Sequence, residues 1–156
     1  MFLNSILPTL VKTICMKRSI ILLLIIAGTF CSLAQAPLWT KEQLMPTKDL
    51  AAKINSNAKD VPLVLNVGPM ELIKTALDVG RATSITGIEK IKTTLSQENK
   101  NRVVVVYCGC CSYASCPNIK PAYDAVIAAG FKNAKVLELP ESVKSDWVAK
   151  GYPMEK

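Results

Sequence analysis

The chain opens on an apolar stretch and then settles into short blocks of alternating character. Ile20 to Phe30 is an apolar run, preceded by the basic pair Lys17-Arg18 and followed by the small-residue segment Cys31-Ser32-Leu33-Ala34-Gln35-Ala36. Basic, apolar and small-residue regions in that order are the pattern of a secretion signal. Further on, Lys48 to Ile54 sets Leu50 and Ile54 four residues apart, a short helix that Thr47 or Ser56 can cap. Val61 to Val67 (VPLVLNV) is a compact apolar run between Asp60 and Gly68-Pro69, and Val103 to Tyr107 is a second one behind a polar stretch from Gln97 to Asn101. Such runs read as strands buried on both faces. Ile85 to Gln97 carries Ile88, Ile91 and Leu95 at helical spacing, with Thr86 and Glu89 placed as a capping pair. Pro117 opens a helix to Ala129, with Ile119, Tyr123, Val126 and Ile127 as its apolar stripe and Gly130 as its stop. Lys135 to Leu139 reads as a third strand and Asp146 to Lys150 as a short closing helix. Strands alternating with helices predict an α/β fold, a parallel central sheet with helices on both faces.

At 156 residues the chain has room for one domain. The expected division is a secretion signal over 1–34, cut after Ala34 or Ala36, and a domain over 35–156. That places the protein outside the cytoplasm, periplasmic or secreted, and at the membrane only through the signal before cleavage. An uncleaved anchor is the alternative, although the apolar run falls short of the ~20 residues a spanning helix needs. Phe30 ahead of Cys31 argues against a lipoprotein signal, and Met16 leaves residues 1–15 as an upstream start or an extended basic region. Removing the signal takes away Lys12, Lys17 and Arg18 and no acid, so the net charge falls from +7 to +4. The remaining lysines are scattered without interleaved aromatics, which argues against a nucleic-acid partner.

Half of the residues are hydrophobic, too many for a disordered chain. The absence of histidine excludes a Cys-His nucleophile pair and a zinc site of mixed ligands. Trimming also leaves four of the six cysteines, Cys108, Cys110, Cys111 and Cys116, all in one short stretch after the second apolar run. The carboxyl end of a strand that feeds a helix is where open α/β sheets bind ligands. Cys108 stands first after the strand, so a thiolate stabilised by the helix N-terminus, with a lowered pKa, is the expectation there.

Leu63-Val64-Leu65-Asn66-Val67, Ile73-Lys74-Thr75-Ala76, Val105 to Cys108, Ala129-Gly130-Phe131-Lys132-Asn133 and the closing Trp147 with Gly151-Tyr152-Pro153 follow one another in a specific order. In that order the chain resembles the rhodanese-like (sulfurtransferase) family. The resemblance implies a rhodanese-like single domain and a persulfide carried on Cys108. It also implies a substrate-binding loop with Gly109, Ser112 and Tyr113, no cofactor, and as partners a small sulfur donor and a thiol or cyanide acceptor. Three positions depart from the family. Its first strand usually ends in D-V-R, against Asn66-Val67-Gly68 here. Its C-x-x-G-x-R loop ends in a cation that binds an anionic sulfur donor, and Tyr113 stands there. The Gly-Gly pair before the closing tryptophan is replaced by Leu139-Pro140-Glu141.

The loop therefore admits several chemistries. Cys108 can carry sulfur as a persulfide, with Cys110, Cys111 or Cys116 as resolving or tuning thiols. Alternatively, the four cysteines form a soft-metal site for copper or zinc; adjacent Cys110 and Cys111 are expected to aim at one ion only with strain, which favours Cu(I). One or two disulfides can instead pin the loop, or the fold persists as a binding module without catalysis. Lys120 is the nearest cation and only a weak substitute for the missing arginine. Trp147 and Tyr152 are expected to pack in the core or a lid. Tyr113 is expected to wall the pocket or donate to an anion, and Asp124 and Asp146 to lie on solvated faces.

Overall fold

The two apolar runs become the centre of a sheet. In the computed structural model, which describes residues 38–156, β2 (Leu63–Asn66) and β4 (Val104–Tyr107) pair in parallel, with Leu63 beside Val104 and Asn66 beside Tyr107. Every residue of both strands is buried, as unbroken Val/Leu runs require. β5 (Ala134–Glu138) flanks β4, β3 (Ala76–Asp78) flanks β2, and β1 (Leu44–Pro46) lies outside β5. The order β1-β5-β4-β2-β3 is parallel throughout. The two edge strands were not foreseen. Each has three residues and exposed positions such as Pro46, Leu77 and Asp78, so neither shows an apolar run. The secretion signal and both cleavage positions lie outside the described residues.

Successive strand residues point to opposite faces, and each face has its own helices. On one, Leu50, Ala51 and Ile54 of α1 (Thr47–Asn55) and Val143 of α4 (Val143–Asp146), with the adjoining Trp147, cover Val64, Val105, Tyr107 and Leu137. On the other, Ile91 and Leu95 of α2 (Ile85–Ser96) and Ile119, Ala122 and Val126 of α3 (Ile119–Ala128) cover Leu65, Val104, Val106 and Val136. Among the described residues no helix is long and apolar enough to cross a membrane.

Several boundaries differ from the sequence pattern for local reasons. Ser84, not Thr86, caps α2: its Oγ accepts the Gly87 N–H at 3.1 Å. Thr47 is the buried first residue of α1 and makes no cap bond, whereas Ser56 closes that helix by donating to the Lys53 carbonyl at 3.1 Å. Pro117 does not open α3; the helix begins at Ile119, and its N-cap Asn118 makes no cap bond because its side chain is engaged elsewhere. Asp146 is not solvated as expected. Its buried carboxylate accepts the N–H groups of Glu141 at 2.7 Å and Ser142 at 3.0 Å, the donors that a one-turn helix leaves unpaired. Asp124 is exposed, paired with Lys120 at 2.8 Å.

The chain end acts as a strap. The fully buried Trp147 donates its indole N–H to the Pro153 carbonyl at 3.0 Å, with the Tyr152 ring edge-on at 5.1 Å, so both are core packing. Lys74 N–H reaches the Pro153 carbonyl at 3.1 Å and Glu155 N–H the Leu72 carbonyl at 2.9 Å. Beneath the strap, the Ile73 N–H donates to the Tyr107 hydroxyl at 3.0 Å. Burial pushes the Tyr107 phenol up from 10.0 to about 12.

Because the folded state favours the protonated phenol, its contribution to stability is complete below pH 10 and is lost as pH rises toward about 12. Tyr107→Phe leaves the buried Ile73 N–H unpaired. Urea unfolding at neutral pH is expected to show a loss of ~1–3 kcal/mol, and the variant to lose less stability than the wild type on going to strongly alkaline pH.

Candidate functional site

From β2 the chain crosses to β3 on one side, and from β4 it crosses to β5 on the other. The carboxyl ends of β2 and β4 therefore form a switch point, where the departing loops diverge and leave a crevice. On the β2 side, buried Asn66 folds the turn: its Oδ1 accepts the Gly68 N–H at 3.1 Å, and its Nδ2 donates to the carbonyls of Gly68 at 3.0 Å and Met70 at 3.2 Å. An aspartate could not donate either of the last two bonds. Gly68 then lies directly against Cys108. A Cβ at Gly68 would overlap the Cys108 carbonyl and come within 2.6 Å of its Sγ. In this chain, therefore, residue 68 has no room for a side chain, because the Cys108 carbonyl and thiol occupy that space.

On the β4 side, Gly109 turns the chain at φ +81°, a left-handed conformation that side chains rarely adopt. Its carbonyl accepts the Val143 N–H at 2.8 Å, and the Tyr113 N–H donates to the Leu139 carbonyl at 3.0 Å. Residues 110–112 form an arch between these two anchors. Cys116 returns toward it, its N–H on the Ser112 carbonyl at 3.1 Å. Cys108 and Cys116 are 1% and 7% exposed; Cys111 is half-buried and packs against the same core, whereas Cys110 is exposed.

All four stand as free thiols. The Sγ atoms of Cys108 and Cys110 are 3.3 Å apart, those of Cys110 and Cys111 are 3.5 Å apart, and the whole set lies within 4.8 Å. The adjacent Cys110 and Cys111 both turn their sulfurs into the cluster, next to the left-handed Gly109. Sequence reasoning missed Asn118. Its Oδ1 accepts the Thr83 N–H at 3.1 Å and hydroxyl at 3.0 Å, which leaves Nδ2 to donate to Cys108 Sγ at 3.9 Å. The only signal was its place in the C-P-N segment.

The expected low pKa at Cys108 is not what this environment produces. Burial pushes the thiol up, the Cys116 and Cys110 thiols add to the rise, and only the Cys110 backbone N–H acts the other way. Burial, then Cys110 and Cys116, push Cys111 up to about 12. Cys108 and Cys111 are therefore held toward the neutral thiol, and a nearby positive charge would favour their ionisation. Lys120 does not supply it, because its ammonium is held by Asp124. Of the remaining loop residues, Ser112 accepts the Ala114 N–H at 3.3 Å and Tyr113 packs its ring against the core, so they brace the arch. A cavity of about 450 Å³ lies at the other end of the strands, lined by Lys53, Asp60, Val61, Arg102 and Val103 among others. Its Lys53 and Arg102 are paired with Asp60 and Glu98, and no residue of the thiol loop lines it.

This architecture is shared with solved structures. The chain is similar to the rhodanese-like domain of an Anabaena sp protein (TM-score 0.51, 21% identity, 73% of this chain and 79% of that one). It is also similar to a protein of Bacillus halodurans (TM-score 0.54, 19% identity, 73% and 77%). The fold is rhodanese-like. At these identities the likeness concerns the fold alone, and no family model and no curated protein matches the chain. The rhodanese-like frame carries Cys108 at the carboxyl end of its central strand, with a cysteine cluster that could hold a metal ion.

The closeness of Gly68 to Cys108 can be tested by filling it. Gly68→Ala is expected to lower unfolding free energy in urea by ~1–3 kcal/mol, the range for overpacking a dense core. Unchanged stability would show that the two loops are not in contact.

Proposed function

We propose that the domain binds one soft, thiophilic metal ion, copper or zinc, through Cys108, Cys110, Cys111 and Cys116. The observation that carries this reading is the convergence of four Sγ atoms within 4.8 Å, an adjacent pair included. Around an ion with metal–sulfur bonds of ~2.3 Å, tetrahedral sulfurs stand ~3.8 Å apart, so the set needs little movement to close on one ion. Thiolates without imidazole or carboxylate select soft ions. With the Cys108 and Cys111 thiols pushed up by burial, metal binding releases protons there.

Reduced protein titrated anaerobically with Cu(I) or zinc is expected to give an equimolar complex with proton release, lost in Cys108→Ser and in Cys116→Ser. Four freely titrating thiols and no stoichiometric metal would overturn the reading.

A sulfur-carrier function is the second reading, supported by Cys108 at the head of the loop with Cys110 Sγ at 3.3 Å. In it, the Cys108 thiolate attacks the outer sulfur of a persulfide donor, the donor's S–S bond breaks with its inner sulfur leaving as a thiolate, and a Cys108 persulfide results. Cys110 then attacks the inner sulfur, forming a Cys108–Cys110 disulfide and expelling the outer sulfur as sulfide. With Tyr113 in place of the arginine, a persulfide donor suits the loop better than thiosulfate. Intact mass after incubation with a persulfide donor is expected to show one added sulfur, and an adduct that survives Cys108→Ser would rule this out. Export of the domain after cleavage at Ala34 or Ala36 rests on the order of basic, apolar and small residues before it.

A further inference from the structure

The four thiols are not equivalent, and the inequality follows the packing. Cys108 and Cys116 are buried members of the core on the α2–α3 face, and half-buried Cys111 packs against that same core. Their positions are set by the sheet, by the Cys116 N–H on the Ser112 carbonyl, and by Gly68 pressed against Cys108. Cys110 belongs to no core cluster and is exposed. It rides at the start of the arch, next to the left-handed Gly109, and its Sγ lies beside both Cys108 Sγ and Cys111 Sγ. Three sulfurs are thus fixed at one side of the centre, and one sits between the centre and solvent.

Three sulfurs are also a complete ligand set for Cu(I), which is content with two or three thiolates, whereas zinc asks for four. We infer that Cys108, Cys111 and Cys116 are the holding ligands of a Cu(I) site, and that Cys110 is its exchange ligand, passing the ion to and from a partner that presents an accessible thiolate. The inference rests on the metal-binding reading above and specifies its ion, its direction of access and its partner chemistry.

The exchange step balances without a redox partner. An incoming thiol forms a sulfur–copper bond as the Cys110–copper bond breaks, and further acceptor sulfurs then displace Cys111, Cys116 and Cys108 in the same way, each released cysteine taking up the proton of the thiol that replaces it. The incoming proton ends on the released Cys110 sulfur, and copper stays monovalent throughout. The three holding ligands keep the ion from leaving until the fourth, external sulfur is attached.

The test uses the whole domain in its reduced state, supplied anaerobically with equimolar Cu(I). The rate of copper transfer is followed to bicinchoninate, to glutathione and to a short dithiol peptide. Cys110→Ser is expected to keep equimolar Cu(I), read from the thiolate-to-copper absorption, while transfer slows by about tenfold or more to the two thiol acceptors. Loss of copper from Cys108→Ser, with near-ultraviolet circular dichroism reporting an intact fold, supports the holding set. A Cys110→Ser variant that transfers copper as fast as the wild type would overturn the exchange role. One that no longer holds copper would show Cys110 to be a holding ligand, which overturns it equally. If the wild type itself takes up no Cu(I) but does take up zinc, the ion assigned here is wrong and the metal-binding reading survives. If it takes up neither, both fall. The two thiol acceptors separate a low-molecular-weight partner from a protein-like one.

Discussion

The approach of Gly68 to Cys108 is the constraint on which the rest of the site depends. Two neighbouring strands end side by side at the switch point of the sheet, and the loops that leave them share one narrow space. The first loop yields: Asn66 ties it into a tight turn, and residue 68 has no side chain. The second loop fills what is left with sulfur. With Cys108 seated at this depth, the other three thiols gather around it, and all four sulfurs lie within 4.8 Å of one another. The position of β4 is secured in turn from the other face, where the Tyr107 hydroxyl takes the Ile73 N–H.

A rhodanese-like frame normally brings a cationic loop to this place, and the change of chemistry here is coherent rather than partial. Tyr113 replaces a charged fork with a ring that packs against the core, so the loop loses its anion binder and gains a brace. Asn66 in place of aspartate leaves this turn without a negative charge. Burial pushes the Cys108 and Cys111 thiols up. The first change removes an anion binder and the second an anion, so the turn and the loop keep neither charged group.

Much of this was legible in the sequence, because the informative elements bury both faces. Val104 to Tyr107 and Leu63 to Asn66 read as strands for the reason that makes them central: no residue of theirs meets water. The edge strands β1 and β3 were illegible, since they pair only by virtue of their neighbours and show half-exposed surfaces. The site was legible as a cluster and as a position, Cys108 to Cys116 at the end of a strand. What could not be read was geometry. The convergence of Cys110 with Cys111 depends on the arch between Gly109 and Tyr113, and the donors that pin it, Val143 and Tyr113, find acceptors far apart in the chain. Asn118 was hidden for the same reason, its partner Thr83 lying a helix and a strand away. Asp146 looked like a surface acid because nothing in its local sequence reveals the two amides it satisfies.

The carboxyl-terminal strap has a consequence for observing the loop without disturbing it. The amides of Lys74 and Glu155 are held only by the strap, and the Ile73 amide beneath them is held by Tyr107, the residue that immediately precedes Cys108. Hydrogen exchange at these three amides therefore grades from the rim of the molecule to the root of the thiol loop. Slowing at Ile73 without a change at Lys74 or Glu155 would signal tightening from the sulfur side, so a backbone amide outside the thiol loop becomes a gauge of that loop.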